Sequence, residues 1–182
     1  MEEYSTIVSG FGGQGVILTG KIIARSGMEE GLEVTWLPSY GPEMRGGTAN
    51  CTAIISSELI GSPVVNEPSA LIAFNEPSLD KFGPKVKEGG VTVLNSSLID
   101  EFNSDETTVP VPLNDIAKDL GNQKVLNMVG LGAWVRATEA LSLSAIKTGM
   151  ELMLEESGKG KFVDINKKAL EKGHEAAERV RV

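Results

Sequence analysis

Within its first thirty or so residues the chain passes from a strand-like segment through a glycine-rich bend into a helix-like one, and this succession constrains the fold more than any other feature. Tyr4 to Ser9 (YSTIVS) is short, rich in β-branched side chains and ends at glycine, as a strand does. Residues 10–20 read GFGGQGVILTG. From Gln14 to Glu30 the residues Val16, Gly20, Ile23, Ala24 and Gly27 recur at helical spacing, and Gly31 is placed to end the helix.

The rest of the chain continues the alternation. Glu33 to Leu37 (EVTWL) reads as a second strand ended by Pro38, and the intervening helix has the length of a crossover that sets two strands parallel. Further strands are expected at Asn50–Ile55, Ala70–Phe74 and Val91–Leu94, the last apolar on both faces, with an edge strand at Thr107–Val111, marked as such by its neighbouring prolines 110 and 112. Asn75-Glu76-Pro77 marks a helix start, and helices are predicted at about Asn114–Leu120, Val125–Leu141, Leu143–Glu156 and Asn166–Val180. This order predicts an α/β fold: a three-layer α/β/α, Rossmann-like arrangement around a mostly parallel, mixed sheet, with residues 1–182 forming one domain.

Gly10, Gly12 and Gly15 match G-x-G-x-x-G between a strand and a helix, where bare backbone and a helix N-terminus welcome an anion. The same glycines serve equally well to let a helix pack closely, with Gly20, Ala24 and Gly27 assisting, and the residues alone leave both readings standing. A dinucleotide needs an acid at the end of the second strand, yet that strand runs out through Trp36-Leu37-Pro38-Ser39. A Walker loop needs G-K-[ST], and Lys21 stands too far along the chain.

Composition narrows the partners. The net charge is -8, with no basic run to override it, which disfavours nucleic acid. The acidic start Met1-Glu2-Glu3 is unlike a signal peptide, and the longest apolar run, Val125 to Val135, is interrupted by Asn127 and too short to span a bilayer. A soluble, cytoplasmic protein is expected. One cysteine, Cys51, precludes an internal disulfide and a cluster held by several thiolates; it is expected in the core as a small hydrophobe. His174, beside Glu175 on a charged helix, reads as a solvated surface residue, and neither is assigned to catalysis. The glycine- and alanine-rich helix at 128–135 reads first as close-packed core and second as a subunit contact.

Two motifs in order, GFGGQGV at 10–16 and SYGPEMRGG at 39–47, resemble the gamma subunit of 2-oxoacid:ferredoxin oxidoreductases, and so do Asn75-Glu76-Pro77-Ser78, Asn127-Met128 with Leu131-Gly132-Ala133, and Asn166 with Ala169 and Gly173. The resemblance covers nearly the whole chain. It implies a component of an enzyme that decarboxylates a 2-oxoacid, 2-oxoglutarate being favoured over branched-chain or aryl pyruvates, using thiamine diphosphate, Mg and iron–sulfur clusters, and yields an acyl-coenzyme A. Alpha and beta subunits, with a ferredoxin-like delta subunit as a further candidate, would hold those cofactors and pass electrons to ferredoxin, since the thiamine signature GDG with its following Asn is missing from this chain.

What the resemblance leaves to a gamma chain is assembly and coenzyme A binding. The candidate contacts are Gly10, Gly12, Gly13, Gln14 and Gly15 in the turn and Tyr40, Glu43, Arg45, Gly46 and Gly47 in the second motif, where a guanidinium suits the coenzyme's phosphates. A solvated Glu43–Arg45 ion pair is the plainer reading of that loop. A stand-alone nucleotide-binding module and a purely architectural subunit are the alternatives for the chain as a whole.

Overall fold

In the computed structural model of the chain the described residues are 3–40 and 48–177, Tyr40 through its backbone only. The elements are β1 (Tyr4–Phe11), α1 (Val16–Glu29), β2 (Glu33–Tyr40), β3 (Thr48–Ser56), β4 (Ala70–Ala73), α2 (Glu76–Phe82), β5 (Val91–Asn95), β6 (Thr108–Val111), α3 (Leu113–Asp119), α4 (Leu126–Thr138), α5 (Leu143–Glu156) and α6 (Val163–Ala176). The last helix starts three residues before its expected beginning at Asn166, and its expected end at Val180 lies outside the described residues.

The six strands form one sheet in the order β2-β3-β1-β4-β5-β6. β1, β4, β5 and β6 pair in parallel, whereas β3 is antiparallel to both β1 and β2. The mostly parallel, mixed sheet of the sequence reading is thus present, with one correction. β2 runs in the direction of β1 but does not pair with it, because β3 is inserted between them. The seven residues 41–47 are too few for the crossover a parallel connection requires, so β2 and β3 form a hairpin with Glu33 opposite Ser56 and Tyr40 opposite Ala49. β2 also continues past Pro38, which sits opposite Cys51. An edge strand tolerates the missing N–H.

Helices lie on both faces of the sheet, unevenly. α1 rests on β1, β2 and β3, and α4 on β4, β5 and β6, while α5 and α6 form a further tier over α1 and α4 respectively. The opposite face carries α2 and the 83–85 turn, closing a smaller cluster of Ile7, Leu71, Ala73, Phe82, Leu94 and Ile99. Asn75 caps α2 by accepting the Ser78 N–H at 3.0 Å, and Ser142 caps α5 by accepting that of Ala145 at 3.0 Å.

All of α4 except Arg136 and Thr138 is buried, as the core reading of residues 128–135 requires. Its cover on the side away from the sheet is α6 of the same chain. A Cβ on Gly132 would strike the Leu170 carbonyl, and one on Gly173 the Val129 carbonyl, so the two backbones touch. Gly173→Ala is therefore expected to destabilise the fold by at least ~2 kcal/mol in chemical denaturation, whereas Gly61→Ala, with nothing within 4 Å of the added carbon, changes it by less than ~0.5 kcal/mol.

Candidate functional site

The glycine turn lies at the carboxyl end of β1. Phe11, Gly12 and Gly13 are exposed there, and the Gln14 N–H donates to the Phe11 carbonyl at 3.1 Å to close the bend. Gly13 and Gly15 hold φ of 98° and 78°, a left-handed region that side chains disfavour. Gly15 is the residue from which α1 starts, and α1 has no side-chain cap and no acid in its first turn. Its first amides and the positive end of its dipole are left for another acceptor.

Not all of the turn faces outward. Gln14, a candidate contact in the turn, folds back: its Oε1 accepts the Phe11 N–H at 2.6 Å and the Asn75 Nδ2 at 3.2 Å, and its Nε2 lies 3.5 Å from the Phe74 carbonyl. Gly10 presses on that amide and on Phe74, so its bareness serves packing. Behind Gly15 stands the buried Asn127, whose Nδ2 donates to the Gly15 carbonyl and to Thr19 Oγ1, both at 3.4 Å. Asn95, fully buried at the end of β5, donates to the Phe74 carbonyl at 3.1 Å and to Asn114 Oδ1 at 2.7 Å. A row of asparagine side chains thus ties the carboxyl ends of β4 and β5 to the turn.

Beside the turn an open cleft of about 550 Å³ is lined by Gly12, Gly13, the first turn of α1, Ala49 of β3 and the end of α5 at Met153, Leu154 and Ser157. Lys21 and Lys159 line it too. Lys21 Nζ lies 4.8 Å from the centroid of the Trp36 ring. The cleft therefore combines the uncapped start of α1, two lysines and an apolar wall of Phe11, Val16, Ile17 and Leu18, which suits an anionic group attached to an apolar arm. The strand neighbouring β1 on this side is the antiparallel β3, which starts at Thr48 here, so the place of a ribose-binding acid in a dinucleotide fold is taken by the start of β3.

Of the sequence candidates, the structure brings Gly12, Gly13 and Gly15 to the cleft and turns Gly10 and Gln14 into the protein. Tyr40 ends β2, its side chain outside the described residues, as are Glu43, Arg45, Gly46 and Gly47. The sequence reading does not single out Lys159 and takes Lys21 only as standing too far along the chain for a Walker loop. It also missed Asn95, for which the signal was an asparagine closing the apolar run VTVLN.

Cys51 is buried in β3 against α1, its thiol donating to the Val16 carbonyl at 3.4 Å, and burial pushes its pKa up to about 11. It is the core residue expected. His174 is half-buried rather than solvated, and its pKa is lowered, first by burial and then by nearby Arg136. Among the described residues no group of three or more His, Cys, Asp or Glu side chains is placed to hold a metal ion, and no helix is long and apolar enough to cross a membrane.

Residues 5–176 match the family model for pyruvate ferredoxin/flavodoxin oxidoreductase. The chain belongs to this family. It is 40% identical over 174 residues to the ketoisovalerate oxidoreductase subunit VorA of Methanothermobacter marburgensis, covering 94% of this chain and 36% of that one. The chain thus spans about a third of that relative's length. Among solved structures, the keto/oxoacid ferredoxin oxidoreductase gamma subunit of Geobacter sulfurreducens superposes with a TM-score of 0.80 at 33% identity, over 95% of this chain and 97% of that one. The 2-oxoglutarate:ferredoxin oxidoreductase of Magnetococcus marinus, solved with 2-oxoglutarate, coenzyme A and succinyl-CoA bound, gives 0.82 at 25% identity, covering 97% of this chain and 31% of that one. The family fold is the α/β arrangement described above.

The thiol of this family member offers a pH test. Unfolded Cys51 ionises near 9.0 and the folded residue near 11, so the native state holds the extra proton and stability falls as pH rises through that window. Denaturation midpoints are expected to drop between pH 9 and 11, and Cys51→Ala to flatten that drop. At pH 8 the raised pKa alone slows native thiol labelling about 100-fold relative to the unfolded chain.

Proposed function

We propose that this chain is a gamma-type unit of a 2-oxoacid:ferredoxin oxidoreductase, residues 1–182 working as one domain that helps to build the active site and receives coenzyme A phosphate at the glycine turn. The observation that carries this reading is the uncapped start of α1, opening between Gly12, Gly13, Lys21 and Lys159 onto the cleft. Coenzyme A offers a diphosphate and a 3'-phosphate on an apolar pantetheine arm, which matches amides and ammonium groups beside an apolar wall. Arg45, in the second motif, remains a candidate for the same phosphates.

The chemistry of decarboxylation and electron transfer is assigned to neighbouring polypeptides. An iron–sulfur cluster does not fit this chain, whose single thiol is buried and holds its proton, and no thiamine-binding signature is present. Thiamine diphosphate, Mg and the clusters are accordingly placed on alpha and beta chains, or on a ferredoxin-like delta chain, with ferredoxin as the acceptor and the cytoplasm as the site of action. For the substrate, the relative with 40% identity names ketoisovalerate, while a relative with 35% and the solved complex with 25% name 2-oxoglutarate. The closer likeness favours a branched-chain 2-oxoacid over the 2-oxoglutarate of the sequence reading.

An architectural role draws support from Gly10 and Gly15, which are held against Phe74 and Asn127 and so serve the fold. Kinetics of the assembled complex separate the two roles. Lys21→Glu with Lys159→Glu is expected to raise the KM for coenzyme A about tenfold or more while kcat at saturating coenzyme A stays within about twofold. An unchanged KM would leave only architecture. The isolated chain, given 2-oxoacid, coenzyme A, thiamine diphosphate and an electron acceptor, should form no acyl-coenzyme A.

A further inference from the structure

Trp36 lies midway along β2, opposite Ala53, with its side chain turned toward α1. The edge of its indole fits the space left by Gly20, where an added Cβ would lie 3.1 Å from Nε1 and 3.2 Å from Cδ1. That Nε1 is buried and has no hydrogen-bond partner. A buried indole N–H ordinarily finds an acceptor, and leaving it unmet is destabilising, so phenylalanine or leucine would fill a helix–sheet contact at lower cost. Trp134 shares the unmet N–H, but its ring is fully buried in the core. Trp36 instead offers one face to a cation. Lys21 Nζ lies 4.8 Å from its ring centroid, and of the aromatic side chains tryptophan presents the best face for an ammonium.

Lys21 is exposed on α1 and lines the cleft beside the glycine turn. Although the chain carries a net charge of -8, no carboxylate pairs with Lys21 among the described residues. Arg25, one turn further along α1, holds Glu29 and Glu156, and Lys147, Lys167 and Lys172 each hold a glutamate. The difference matters for an anion site. A carboxylate would fix the ammonium and cancel its field. An indole face fixes it through the ring quadrupole and leaves the positive charge for a third group. A lysine already held in this way also loses less rotamer freedom when a ligand arrives.

We propose that Trp36 is a positioning residue: its indole holds the Lys21 ammonium at the cleft, without neutralising it, for the phosphate of coenzyme A. Trp36 does not itself line the cleft and acts through Lys21. The inference rests on the coenzyme reading given above and adds to it the residue that orients one of its two lysines.

A double-mutant cycle on the assembled complex tests it. Trp36→Leu should raise the KM for coenzyme A about two- to fivefold, with kcat at saturating coenzyme A within about twofold and the KM for the 2-oxoacid unchanged. Trp36→Phe, which keeps a weaker aromatic face, should raise it less. In a Lys21→Met background nothing remains to be positioned, and Trp36→Leu should add nothing. A merely structural role would raise the KM by the same factor in both backgrounds, and that result overturns the proposal. So does an unchanged KM in an assembled Trp36→Leu complex. If the leucine chain fails to assemble, Trp36→Phe takes its place in the cycle, with a rise of about twofold expected in the parent background and none with Lys21→Met. No rise in the parent then overturns the proposal. Lys21→Met alone separates this role from the reading beneath it. A raised KM there, with the Trp36 variants silent, defeats only the positioning role, whereas an unchanged KM defeats the coenzyme contact of Lys21 as well.

Discussion

The close seat of α1 on the sheet is the contact on which the rest of the molecule depends. At Gly20 a Cβ would run into Cys51 and Trp36, and at Gly27 into Ile55 at 2.8 Å and Val34 at 3.0 Å. With nothing larger than hydrogen at those two positions, the helix backbone lies directly against side chains of β2 and β3. That approach buries Ile22 and Ile23 completely and shuts the Cys51 thiol away from water. It also fixes where the helix begins. Because α1 can neither lift nor slide without opening this seam, its uncapped first turn is held at the end of β1 and its dipole is aimed at the cleft.

The same economy recurs in the outer tier. α6 meets α4 backbone to backbone at Gly132 and Gly173, and Gly149 of α5 is pressed on Ser26 of α1. Each pair of helices is thus keyed by a missing side chain. The keyed arrangement brings the end of α5 to the glycine turn, so that Met153 and Leu154 become a wall of the cleft and Lys159, just beyond, supplies its second cation. Packing decided in one place therefore sets the electrostatics of another.

Inside the turn, polar side chains divide the work between fold and site. Gln14 and Asn75 bond each other, Asn95 holds the Phe74 carbonyl and Asn127 the Gly15 carbonyl, which commits the inner glycines of the bend to packing. Only Gly12, Gly13 and the helix amides stay available. A binding loop built this way is preorganised by neutral amides, and an incoming anion meets no carboxylate of the turn itself.

Much of this was legible in the sequence, because it depends on local pattern. The strand–glycine–helix opening, the span of α5, the asparagine start of α2 and the proline-bounded edge strand β6 all follow from periodicity, caps and the missing N–H of proline, which act within a few residues. The burial of Cys51 and of residues 128–135 followed from hydrophobicity alone. Tertiary structure decided what such rules do not reach. The insertion of β3 between β1 and β2 arises from hairpin closure competing with crossover pairing, and the inward turn of Gln14 from acceptors and donors sixty residues away in sequence. The gathering of Lys21 and Lys159 around one helix end is likewise a product of the fold, because distance in space between residues far apart in sequence is set by how helices pack and not by any spacing a chain displays.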